Sequence, residues 1–240
     1  MTASVERGDR LGTGFKRPSR KVQSIELGVF LLLIVPSMAA SFFILSQERV
    51  RFMAEAILSI FNDLALLSLL FYFIWRNGEP IQQVGWTFNS IRKEIAWGVI
   101  LFLPVYFGAN LLQNALHTAG LSAPAKLPSF LVVRGIIRML LAFSLVTVVA
   151  VAEETIFRGY LILRFRALTG RTSAAVLLSS IVFSLGHGYE GMAGVISVFF
   201  LGMVLAFVYL WRKSLVAPII MHFLTDFATI ILPTLLETRL

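Results

Sequence analysis

Residues 139–163 read MLLAFSLVTVVAVAEETIFRGYLIL, an apolar stretch long enough to cross a bilayer, with Glu153, Glu154 and Arg158 set inside it. About 20 apolar residues span the hydrocarbon core, so this stretch predicts a transmembrane helix. A charged side chain at bilayer depth costs roughly 2.5–3.5 kcal/mol on insertion scales. Three within six residues therefore have to face one another or a polar cavity. That cavity is where function is to be sought.

The rest of the chain agrees with the membrane reading. Its 240 residues are 58% hydrophobic and 14% charged, with mean hydropathy +0.83, 21 Phe and four Trp. A soluble domain of this size seldom exceeds about half apolar residues. Further apolar stretches at 25–45, 53–75, 95–116, 173–187, 192–211 and 214–235 join 136–163 to predict an all-α, polytopic bundle of about seven spans. The fifth is short, and the tight link GYEG after it predicts an antiparallel pair with the sixth. Residues 1–24 are polar and basic and read as a disordered cytoplasmic tail, leaving 25–240 as one transmembrane helical domain. The sequence SMAAS after LGVFLLLIVP resembles a signal cleavage site, but the apolar run continues through FFIL, so an uncleaved first helix is expected.

The net charge of +8 does not point to nucleic acid, because the basic residues cluster in short segments between apolar stretches. With seven spans and a cytoplasmic amino terminus, fifteen of the 21 Lys and Arg fall on the inner side. This satisfies the positive-inside bias and puts the carboxyl terminus outside. Loop 117–135, with Pro124 and Pro128, becomes the longest external segment. Residues 77–93 (GEPIQQVGWTFNSIRK) are expected along the inner interface, with Trp86 and Trp97 at headgroup level. The absence of cysteine excludes disulfides, thiol catalysis and thiolate metal sites.

Three clusters could carry chemistry. Glu154 and Arg158 stand four residues apart on one helix face, acid first, and are expected to pair. Glu153 lies about 100° around the helix and cannot easily join them, which leaves it free to act as a general base. His187 ends the fifth span in FSLGHG, with Phe183 one turn earlier and Gly186 and Gly188 leaving room for another backbone or a substrate. In APIIMHFLTDF, His222 and Asp226 stack at i, i+4, so Asp226 can fix the imidazole tautomer. Pro218 is expected to open the backbone nearby. A carboxylate and two imidazoles around a wet cavity can activate water and stabilise an oxyanion. Asn62 and Asp63 in the second span either line the cavity or bond a neighbouring helix. Asn110, Gln113, Asn114 and His117 are expected at the outer interface, and Tyr160 is a candidate hydrogen-bond partner in the site.

Taken together, Glu153-Glu154-Thr-Ile-Phe-Arg158, Phe183-Ser-Leu-Gly-His187 and His222-Phe-Leu-Thr-Asp226 resemble the EExxxR, FxxxH and HxxxN/D motifs of the CPBP intramembrane proteases. That family includes type II CAAX prenyl proteases and Abi-like bacteriocin-processing proteins. The likeness covers 136–235. It implies hydrolysis of peptide bonds in a membrane-associated, lipidated or apolar substrate, in a bacterial cell membrane, with lipids and that substrate as partners. By the same resemblance, Glu153 and His187 activate water, His222 and Asp226 support the oxyanion, and Glu154, Arg158 and Phe183 hold the site in shape. Family members are described both as metalloproteases and as glutamate-based peptidases. Glu153, His187 and His222 could form the three-ligand set of a catalytic zinc. Yet there is no HExxH, and a metal-bound Glu153 is not free as base. The expectation is therefore that no cofactor is required, with Zn2+ as the alternative. Other readings are an ion- or proton-coupled transporter, against which stands the lack of an inverted repeat, and a non-catalytic scaffold.

Overall fold

A computed structural model describes residues 18–42, 52–122, 133 and 135–237. Among the described residues seven main helices follow one another: α1 (Arg20–Ala40), α2 (Phe52–Arg76), α3 (Ile91–Thr118), α4 (Ile136–Thr169), α5 (Thr172–Leu185), α6 (Gly191–Arg212) and α7 (Val216–Ile231, continuing through Leu232–Glu237). No strand occurs among the described residues. Five helices, α1 to α4 and α6, are long and apolar enough to cross a membrane. The shorter α5, at 14 residues, rises only about 21 Å against a hydrocarbon thickness of about 30 Å. Outward faces are apolar, with Leu32, Phe61, Leu111 and Ile136 exposed. Lipid is the solvent that accepts such a surface.

Local chemistry sets the helix ends. Ser19 caps α1, its Oγ accepting from the Val22 N–H at 3.4 Å, so the helix starts at Arg20, five residues before the expected start of the first span at 25. Residues 1–17 and most of the 117–135 loop, with Pro124 and Pro128, lie outside the described residues. Gly170, at φ 71°, closes α4 by turning its N–H back to the Arg166 carbonyl. The helix therefore runs six residues past the expected boundary at 163.

The second half of α4 is the axis of the fold. It packs against α1, α2, α5, α6 and α7, and every residue from Glu154 to Leu161 is buried. Those eight residues form a π-helix, which displaces carbonyls from the α-helical ladder. Two hydroxyls meet that disturbance: Thr155 Oγ1 donates to the Val151 carbonyl at 2.7 Å, and Ser179 Oγ of α5 donates to the Phe157 carbonyl at 2.6 Å. A second π-turn, Phe227–Ile231, follows Asp226 in α7. Pro218, expected to break the backbone, instead sits in the first turn of α7, where its missing N–H has no intrahelical partner to lose. α5 and α6 form the expected antiparallel pair. α3 lies against α7 where Gly98 leaves room: a β-carbon there would come 2.6 Å from Ile220.

Within the connection 77–90, Glu79, Val84 and Gly85 are buried, while residues 80–82 and 88–90 are exposed. Trp97 belongs to a cluster in which Arg212 bonds Glu94 through two nitrogens and lies over the Trp97 and Trp211 rings.

Candidate active site

Midway along α4, Glu154 is fully buried. Its Oε1 accepts from Arg158 Nη1 at 2.8 Å and lies 2.8 Å from His222 Nδ1 of α7. The expected i, i+4 pair therefore forms, and it does more than neutralise charge. One carboxylate oxygen joins α4 to α7 and fixes the His222 ring, the task the sequence assigned to Asp226. Asp226 Oδ2 approaches the other ring nitrogen, Nε2, at 3.5 Å. Glu153 Oε2 stands 3.7 Å from that same nitrogen. So His222 Nε2 faces two carboxylates that are partly open, their side chains 23% and 24% exposed, while Nδ1 is committed to a sealed one.

Two acceptors in this cluster are unsatisfied: Glu153 Oε2 and Glu154 Oε2 are buried atoms with no hydrogen-bond partner. An orphaned buried acceptor is costly. The arrangement is one that a water or a substrate N–H would complete.

Phe183 connects the three motifs. Its ring carries the Arg158 guanidinium at 4.1 Å and stands edge-on to His222 at 5.9 Å, with the His187 ring 5.1 Å away. Arg158 Nη2 also reaches the Gly202 carbonyl at 3.4 Å. Guanidinium on a ring face with a carboxylate beside it is the environment that makes a buried arginine tolerable.

His187 stands two residues beyond the end of α5, in the turn leading to a short 3-10 segment. Its Nδ1 is 3.2 Å from the Phe183 carbonyl, and its ring lies 5.9 Å from Tyr189. The turn is tied down from α1: Ser41 Oγ donates to the Leu185 carbonyl and accepts from the Gly188 N–H, each at 3.0 Å. Thus Gly188 does make room for another segment, and Ser41 and Phe42 occupy it. The imidazole of His222 stands beside Glu153, 3.7 Å away.

Further polar residues face this cluster. Asp63 of α2 interacts electrostatically with Glu153 and His222, which favours the cavity-lining alternative for it. Glu190 interacts with His187 and Asp226, and Tyr189 with Glu190, Asp226 and Glu153. Sequence reasoning passed over Tyr189 and Glu190 as a tight link. The available signal was an acid confined to a turn between two apolar helices, three residues past a candidate histidine. Tyr160 lies outside the site, packed on Phe30 and under the Arg164 guanidinium. Asn110, Asn114 and His117 are exposed toward the end of α3, as expected for interfacial groups.

Glu153, His187 and His222 are the residues that would hold a zinc. Among the described residues no three His, Asp or Glu side chains are gathered to hold a metal ion. Each imidazole has its Nδ1 engaged, His222 at Glu154 and His187 at the Phe183 carbonyl, which is also how a metal-binding imidazole is commonly oriented.

Compared with known families, residues 135–228 match the model described as type II CAAX prenyl endopeptidase Rce1-like. The matched segment contains all three motifs and bears out the resemblance read from them, aligning this part of the chain with the CAAX-type intramembrane proteases. No curated protein and no solved structure matches the chain.

Proposed function

With an Rce1-like segment as premise, we propose that this protein is an intramembrane endopeptidase in which Glu153 is the general base. The observation that carries the reading is the contrast between adjacent glutamates. Glu154 is sealed, with its Oε1 bonded to Arg158 and His222, whereas Glu153 is partly open and faces His222 Nε2; each keeps an unpartnered Oε2. One acid builds the site and the other is left to work in it.

In this mechanism a water is bound by the Glu153 carboxylate alongside His222 Nε2. Glu153 accepts a proton as the water oxygen bonds to the scissile carbonyl carbon. The tetrahedral oxyanion is stabilised by N–H donors, with His222 and His187 the candidates. The C–N bond then breaks, and the leaving nitrogen takes the proton from Glu153. Asp226 faces His222 Nε2 and supports its donor role. Glu154, Arg158 and Phe183 hold the ring and do not touch the reacting atoms. No step passes through a metal.

The substrate is a peptide with a lipidated, apolar or membrane-anchored segment, because lipid-facing helices surround the site. The amino terminus is cytoplasmic and the carboxyl terminus outside, in a bacterial cell membrane. The test uses purified protein in liposomes with peptides carrying a lipid or transmembrane anchor, in water enriched in 18O. The expected result is internal cleavage with one 18O in the new carboxylate, undiminished by a chelator. Intact peptides accompanied by proton or ion flux would replace this reading with a transporter. Activity lost together with stoichiometric zinc would replace the metal-free mechanism.

A further inference from the structure

The connection between α2 and α3 touches both helices that form the site. On one side, both carboxylate oxygens of Glu79 accept from Arg164 of α4. The short 3-10 turn Ile81–Val84 then brings Val84 against the π-helical segment. A β-carbon on Gly159 would lie 2.5 Å from the Val84 carbonyl oxygen, so the two backbones are in direct contact. Gly159 is five residues beyond Glu154.

On the other side, the same loop grips the turn that launches α7. Gly85, at φ 87°, accepts from the Leu215 N–H at 3.0 Å. A β-carbon on Gly85 would meet the Tyr209 ring at 2.5 Å and Leu215 at 3.0 Å, in a backbone conformation that suits only glycine. Thr87 Oγ1 donates to the Lys213 carbonyl at 3.2 Å, and Ser214 Oγ donates to the Thr87 carbonyl at 3.4 Å. His222 follows two turns later on α7.

The bond between Glu154 and His222, at 2.8 Å, joins the same two helices that the loop touches. We infer that residues 79–87 are a spacer that sets the separation of the acid-bearing segment of α4 from α7. Gly159, Gly85 and the Glu79–Arg164 pair are then positioning residues for His222. A spacer of this kind has to be buried and backbone-thin, which accounts for glycine at both contacts. It also accounts for a buried acid in a stretch that reads as polar loop.

The inference rests on the proposed peptidase reading only for its activity readout, so the test includes one that needs no activity. The full-length protein, with only three histidines, is labelled at the imidazoles, and the His222 resonance is assigned with a His222→Asn variant. In Gly159→Ala the His222 signal shifts while that of His117 stays. With cleavage as readout, kcat falls on the order of a hundredfold, since displacements of about 1 Å have that effect, and KM stays within about twofold. Gly85→Ala gives the same signature, and Glu79→Gln a weaker one. If Gly159→Ala does not fold, those two variants decide. Gly108→Ala, where a β-carbon meets nothing within 4 Å, leaves both readouts unchanged. Folded Gly159→Ala or Gly85→Ala protein with an unmoved His222 signal overturns the inference, whatever its activity.

Discussion

Two arginines six residues apart on α4 are both about 1% exposed, and both meet carboxylates, yet they end in different states. Arg164 donates to both oxygens of Glu79 and lies 3.6 Å from Glu26, which in turn accepts from Arg76 and Asn77. The atoms left over there are Arg164 Nε and the Tyr160 hydroxyl, with the Tyr160 ring face 4.9 Å from the guanidinium carbon; no carboxylate oxygen is among them. Arg158 is held by one oxygen of Glu154 and by the Phe183 ring, and the leftovers are acceptors: Oε2 of Glu154 and of Glu153. The first network has used its carboxylate capacity to tie α1, α2 and the 77–90 loop to α4. The second has kept some back. Completeness marks structure here, and an unfilled acceptor beside an imidazole marks chemistry.

Three substitutions can break or sharpen this contrast. The largest effect on folding belongs to the complete network. Arg164→Met leaves Glu79 and Glu26 buried without their common partner, and it should cost about 3–5 kcal/mol, read by thermal or denaturant unfolding in detergent. A loss below about 1 kcal/mol would mean that the network is ornamental to stability.

Next comes Glu154→Gln, which retains the volume but removes the charge that holds Arg158 and His222. By analogy with other carboxylates that fix an imidazole tautomer, kcat should fall on the order of 10²- to 10⁴-fold with KM little changed. An equal fall in apparent substrate affinity would place Glu154 in binding instead.

The smallest effect is expected at Asp226→Asn. Since Glu154 and not Asp226 fixes the His222 ring, and an amide can still hydrogen-bond, the change should stay within about tenfold in kcat/KM. A loss as large as that of Glu154→Gln would show that Asp226 orients the ring after all.

Much of this was legible in the sequence, for identifiable reasons. Hydropathy located the helices because lipid demands continuous apolar runs, as at 136–163. Helical periodicity stacked Glu154 under Arg158 and turned Glu153 aside, because both are local consequences of 3.6 residues per turn. The three motifs could be recognised because their defining residues are few and fixed in spacing.

What was missed depends on tertiary approach. A π-turn adds one residue to a helix without altering its apolar content, so the pattern at 154–161 does not reveal it. The partner of His222 Nδ1 lies 68 residues away, and local spacing favoured Asp226 four residues on. Glu79 reads as a loop acid until Arg164, 85 residues later, is folded against it. Tyr189 and Glu190 looked like turn residues because nothing in a tight link says which way its side chains face.

The central claim is that Glu153 Oε2 is kept without a hydrogen-bond partner at a cost in stability so that the carboxylate can take a proton from water. The direct measurement is Glu153→Gln, with cleavage rate and unfolding midpoint determined on the same reconstituted protein. The account predicts a fall in cleavage of about 10²-fold or more with a midpoint equal to or above that of the wild type. Cleavage at the wild-type rate, or a midpoint that falls along with activity, would contradict it.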